Sequence, residues 1–202
     1  MSEALLTLRD VKTDIGQYHI LHGVSFDVPR GAVTMLLGRN GAGKTTTLRT
    51  IMGLWRARAG RIALGDTRLD GLSPSRIAQQ GVGFVPEDMG IFSDLTVAEN
   101  LRLAALSGAP DPARLEWVFA AFPALKTFYQ SPAGTLSGGQ KQMLSIARAV
   151  IEERALYLID EPSKGLAPAI VATLARALKD LKSQGATILM VEQNFSLAKA
   201  LG

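Results

Sequence analysis

The sequence predicts an α/β protein: a parallel sheet with crossover helices and an inserted helical lobe. Three observations carry that class. Short β-branched and apolar runs alternate with longer segments of helical period, as strands joined by crossover helices do. The stretch from Asp88 to Arg154 breaks the alternation, with several helical segments and no convincing strand. The helix starts also carry their own chemistry, so the segments have ends as well as periods.

In chain order, strands are expected at Leu5–Val11, Val24–Val28, Val33–Leu37, Arg61–Leu64, Val82–Val85, Leu156–Ile159 and Thr187–Val191. Helices are expected at Lys44–Leu54, Pro74–Gln80, Val97–Leu106, Pro112–Phe122, Gly138–Glu152 and Pro168–Ser183, with a short one from near Phe195. Ser73-Pro74 and Asp111-Pro112 each set a capping side chain before a proline at the first helical position. Thr96 and Glu99 have the spacing of a capping box, and Gly185 supplies a C-terminal stop. This divides a single domain into a core of residues 1–87 and 155–202 and a lobe of residues 88–154.

Composition narrows the function. The 202 residues suit one medium domain, and 47% hydrophobic residues suffice for a substantial core. No run approaches the ~18 apolar residues of a membrane span, and the N-terminus lacks the basic and apolar regions of a signal peptide. A cytoplasmic protein is expected. With no cysteine and only His19 and His22, disulfides, thiolate metal sites and a histidine-rich metal site drop out. The net charge of +4 is modest. Arg49, Arg56, Arg58 and Arg61 have few aromatics among them and read as a solvated face, so no nucleic-acid partner is expected.

The most informative segment is Gly38-Arg39-Asn40-Gly41-Ala42-Gly43-Lys44-Thr45-Thr46, which follows an apolar strand and opens a helix. That is the context a phosphate-binding loop requires. Its glycines let backbone N–H groups turn inward around phosphate oxygens, and the helix N-terminus adds partial positive charge. Lys44 is expected to reach the β- and γ-phosphates, the Thr45 hydroxyl to ligate Mg²⁺, and Thr46 to add a further phosphate hydrogen bond.

A second segment, Ala155-Leu156-Tyr157-Leu158-Ile159-Asp160-Glu161, is a buried-strand run ending in two carboxylates. Asp160 is placed to hold Mg²⁺ through water. Glu161 is the candidate general base for the water that attacks the γ-phosphate. A third, Leu136-Ser137-Gly138-Gly139-Gln140, precedes a long helix. Ser137 and Gln140 have capping-box spacing. Two glycines in a first turn are poor for helix stability, and they make sense where a phosphate must come close to the backbone.

With these three motifs in this order, the sequence resembles the ABC ATPases, whose signature is this LSGGQ. The resemblance runs from Leu5 to the C-terminus. It implies a P-loop NTPase (RecA-like) core with an N-terminal antiparallel β region, and ATP and Mg²⁺ as ligands. It also implies a head-to-tail dimer in which Ser137 and Gly139 of one subunit contact the γ-phosphate held by the other, with Gly138 and Gln140 among the nucleotide-binding residues. Three positions depart from the commonest pattern. The lid glutamine is Glu87, which can still bind Mg²⁺ or water through oxygen. The switch histidine is Gln193, whose amide can still bond the γ-phosphate. The usual adenine-stacking position holds Ile15, leaving Tyr18 either as the stacking residue or as ordinary packing.

Pro86–Phe92, Leu95–Asn100, Lys164–Pro168 and Val191–Asn194 look like the branched-chain amino-acid uptake subfamily, within it the second of two ATPase subunits. Relatives importing amides or urea are the neighbouring possibility. A non-hydrolysing regulatory module is the reading from another class, and the intact Glu161 argues against it. The resemblance implies a second ATP-binding subunit (the same or different), membrane permease subunits, a solute-binding protein acting indirectly, and a place on the inner face of the membrane. Phe92 and Leu95 then lie near the groove for the permease, or are simple core packing. Family members continue past Asn194 into a closing strand pair and a helix, so a C-terminally shortened fold is expected.

Overall fold

The computed structural model describes residues 3–105, 108–193 and 195–201. Strands β1 (Ala4–Ile15) and β2 (Tyr18–Pro29) form a long antiparallel hairpin, followed by β3 (Val33–Leu37) and helix α1 (Lys44–Ile51). Next come β4 (Ala57–Leu64), β5 (Thr67–Arg68), α2 (Pro74–Gln79) and β6 (Val82–Val85). The helices α3 (Val97–Ala104), α4 (Pro112–Ala121), α5 (Pro123–Thr127) and α6 (Gly138–Val150) then run without a strand between them. The chain returns through β7 (Leu156–Asp160), α7 (Pro168–Ser183), β8 (Thr187–Glu192) and α8 (Phe195–Leu201).

Two sheets result. One is antiparallel, in the order β2-β1-β4-β5, and the other is parallel, in the order β3-β8-β7-β6. The parallel strands are apolar on both faces because both are covered. Leu156, Leu158, Leu189 and Val191 face a core shared with the antiparallel sheet and α1. Their alternates Tyr157, Ile159, Ile188 and Met190 face a core built from α3 to α7 and α8. The period of two along each strand therefore joins the β region to one face and the helices to the other.

Several ends differ from the expectation, each for a physical reason. The first two strands are longer than the apolar runs, since Lys12, Asp14, His19 and His22 lie on a half-exposed hairpin held by backbone pairing. The helix from Lys44 stops at Ile51, three residues early. There Gly53 takes φ 71°, and a side chain on it would meet the Leu72 carbonyl at 2.7 Å. Ser73 stands at an N-cap position but makes no capping bond, its hydroxyl lying 3.1 Å from that of Ser75. By contrast, Asp111 accepts from the Arg114 N–H, and Thr96 with Glu99 closes a capping box. Leu106 and Asn194 lie outside the described residues.

Candidate functional site

Because β3, β8, β7 and β6 are parallel, the loops that follow them meet at one edge of the sheet, where ligands of such sheets bind. The loop after β3 carries Gly38 to Gly43, that after β6 carries Glu87, that after β7 carries Glu161 to Lys164, and that after β8 carries Gln193. An open cleft of about 380 Å³ is lined by Asn40, Gly41, Gly43, Lys44, Thr45 and Thr46 on one side. Ile20, Glu87, Glu161 and Lys164 complete it.

The phosphate loop ends in a glycine for a steric reason. Gly43 takes φ 81°, and a side chain there would meet Leu21 Cδ2 at 2.8 Å. No side chain caps α1, so its first-turn N–H groups remain available to a ligand. Lys44 is nearly buried. Its ammonium donates to the Arg39 carbonyl at 3.1 Å and lies 3.5 Å from Glu161 Oε1.

Asp160 is fully buried, and its Oδ1 accepts from the Thr45 hydroxyl at 3.0 Å. Its Oδ2 is buried with no hydrogen-bond partner. Burial pushes this carboxyl up to about 6, with the Thr45 bond opposing and the Glu87 and Glu161 charges adding to the rise. A buried carboxylate oxygen with nothing to accept from fits a divalent cation or a water bound to one. Among the described residues no group of three His, Cys, Asp or Glu side chains could hold a metal alone. This suits Mg²⁺, which keeps several waters and takes the rest of its shell from substrate phosphates.

Glu161 follows at φ 45°, in the left-handed region that a glutamate enters only under constraint. Its N–H donates to the Val191 carbonyl at 2.9 Å, which fixes the turn. Its carboxylate is held from three sides. The Gln193 amide donates to both oxygens at 2.6 Å, Lys44 stands near Oε1, and Lys164 lies 3.8 Å from Oε2. Behind it, the buried Glu192 accepts from the Ser163 N–H at 3.0 Å and so ties the loop after β7 to the end of β8. Sequence reasoning passed over Glu192 and Lys164. The signal was a second carboxylate on a strand end and a lysine three residues after Glu161.

Two sets of expected residues sit elsewhere. Tyr18 is 65% exposed at the hairpin end and does not line the cleft, whereas Ile20 of the same strand does. Ser137 to Gln140 also lie outside the cleft lining. Ser137 and Gln140 close a capping box on α6. Gly139 packs against α7, where an added side chain would meet Ile170 at 3.0 Å, while one on Gly138 would meet nothing within 4 Å.

A further surface lies between β6 and the helices. A groove of about 330 Å³ is lined by Met52, Phe84, Pro86, Met89, Ala104 and Arg148 among others. Arg148 stacks beneath the half-exposed Phe92 ring at 5.0 Å and donates to the Gly90 carbonyl. Among the described residues no helix is long and apolar enough to cross a membrane.

Residues 21–164 match the family model described as ABC transporter. The chain is 40% identical, over 98% of its length and 85% of the relative's, to the high-affinity branched-chain amino acid transport ATP-binding protein BraG of Pseudomonas aeruginosa. It is 36% identical, over 95% of its length and 83% of the relative's, to the probable branched-chain amino acid transport ATP-binding protein LivF of Archaeoglobus fulgidus. Among solved structures it superposes on an ATP-binding subunit of an ABC transporter with a TM-score of 0.83 at 34% identity, covering 96% of this chain and 82% of that one.

Proposed function

The chain belongs to the ABC transporter family and is an ATPase of it, and from that premise we propose that it energises the import of branched-chain amino acids. The observation that carries the substrate class is the 40% identity to a branched-chain amino acid transport protein along nearly the whole chain. The proposal includes a partner ATP-binding subunit, permease subunits seated on the groove beside Phe92, and a position at the inner face of the membrane. In it, residues 88–154 form the lobe that carries the signature.

For hydrolysis, Lys44 and the N–H groups of Gly41 to Thr46 hold the β- and γ-phosphates. Thr45 and Asp160 are the residues that would hold Mg²⁺, which would supply positive charge to the phosphate oxygens when bound, while Glu87, its charge paired with Lys164, would bind water there. Glu161 takes a proton from the water whose oxygen bonds to the γ-phosphorus as the bond to the β-phosphate oxygen breaks. ADP and inorganic phosphate leave. Gln193 and two lysines hold the Glu161 carboxylate, so the base must be released from part of this network before it can act.

The test is steady-state ATP hydrolysis by the purified chain with Mg²⁺, beside Glu161→Gln. Loss of a general base predicts a fall in turnover of at least about 10²-fold with ATP binding retained. A variant that still turns over at the wild-type rate removes Glu161 from the role. Uptake of leucine, isoleucine and valine against uptake of urea and short amides, by cells with and without the gene, decides the solute.

A further inference from the structure

Lys164 has no part in the phosphate-loop chemistry described so far, yet it lines the same cleft as Lys44. Its backbone N–H donates to the Glu161 carbonyl at 3.2 Å, closing the turn that follows the base. From there the side chain spans to the loop after β6, where its ammonium meets Glu87 Oε1 at 2.5 Å. It also stands 3.8 Å from Glu161 Oε2, while Lys44 stands near the other oxygen. The two lysines thus flank the base.

The charges of the cleft make this placement matter. Its lining holds two cations, Lys44 and Lys164, and two carboxylates, Glu87 and Glu161, with Asp160 just behind. The ligand is a polyanion. Remove Lys164 and Glu87 becomes a free negative charge at the mouth of a phosphate site, where like-charge proximity opposes binding. The pair also joins two loops that both contribute to hydrolysis.

We infer that Lys164 is a positioning residue for ATP hydrolysis: its ion pair with Glu87 ties the loop after β6 to the loop carrying Glu161 and cancels the Glu87 charge, so that the nucleotide can enter. The lysine acts through Glu87 and not by gripping the nucleotide. That distinction sets the experiment, which rests on the ATPase reading of this cleft.

Steady-state MgATP hydrolysis would be measured for the wild-type chain, Lys164→Met, Lys164→Arg, Glu87→Gln and the double variant Glu87→Gln/Lys164→Met, with KM and kcat separated. Lys164→Met is expected to raise KM about tenfold, with a smaller change in kcat, and Lys164→Arg to recover most of it. In the Glu87→Gln background the same change should move KM less than about twofold, because the charge it cancels is gone. An equal loss in both backgrounds overturns the inference, since the lysine would then act on the nucleotide itself. No loss in the wild-type background overturns it too, reducing the pair to a surface contact of little value. If the wild-type chain hydrolyses nothing, the hydrolytic reading fails, and the same cycle read as ATP affinity by calorimetry still decides the role of Lys164.

Discussion

Asp160 sits fully buried with one oxygen that no protein group bonds, and this makes the site a source of instability as well as of chemistry. Its carboxyl is raised from 3.8 to about 6 by burial. Between those values the folded chain binds more protons than the unfolded one, so this group's contribution makes stability fall as pH rises through that window. Asp160→Asn removes the buried charge and keeps an acceptor for Thr45. At pH 7.5 without nucleotide it is expected to melt higher than wild type, by about 1–2 kcal/mol of stability. The advantage should shrink toward pH 4, where the wild-type carboxyl is protonated, and Mg²⁺-dependent hydrolysis should be lost. A variant that melts lower at pH 7.5 would show that the carboxylate is already satisfied in the folded chain. At this scale type and spacing single out Lys44, Thr45, Asp160 and Glu161, and the structure brings them together at one sheet edge. The sequence could not show that Gln193 bonds both Glu161 oxygens, because residues 32 positions apart meet only through the pairing of β7 and β8.

Asn100 shows how one residue can organise an element. It is fully buried on α3, accepts from the Phe92 N–H, and directs its amide at the carbonyls of Phe92, Leu95 and Thr96. This side chain therefore ties the loop that presents Phe92 to α3, beside the backbone bonds of Leu95 to Phe92 and of Gly134 to Ser93. Asn100→Leu roughly keeps the volume and removes the acceptor of the Phe92 N–H. The Phe92, Leu95 and Thr96 carbonyls keep the N–H groups of Leu95, Ala133 and Asn100, so the expected cost is about 1–3 kcal/mol in urea unfolding. A cost below about 0.5 kcal/mol would mean that the capping box at Thr96 holds the loop unaided. Element legibility follows burial. The strands Val33–Leu37 and Val82–Val85 and the helix Pro168–Ser183 match their expected ends, since their apolar patterns and stop signals coincide. The hairpin was underestimated because polar residues on an exposed ribbon carry no clean alternation. Thr67–Arg68 and Pro123–Thr127 were missed because two and five residues are too short for any period to register.

At the scale of the molecule, one chain holds a glycine-rich loop and the Glu161 carboxylate in one cleft and a glycine-rich helix start that does not line it. Gly139 is explained within the chain by its packing on Ile170, but Gly138 is not, since a side chain there would meet nothing. A glycine in the first turn of α6 costs helix stability and brings the lone chain no packing in return. Its lack of a side chain makes sense if another molecule approaches that face, and the proposed partner is a second ATP-binding subunit whose bound nucleotide lies there. Gly138→Gln separates the two demands. In the lone chain it should melt at the same temperature as wild type or higher, by up to about 1 kcal/mol of stability, because glutamine is the better helix former. ATP binding by the single chain should persist. The ATP-dependent dimer, trapped by Glu161→Gln and weighed by light scattering, should be lost when Gly138→Gln is added, and turnover in the otherwise wild-type chain should fall at least about tenfold. If the variant instead dimerises and turns over as wild type does, the face of α6 is not a nucleotide contact and the cleft works within one chain.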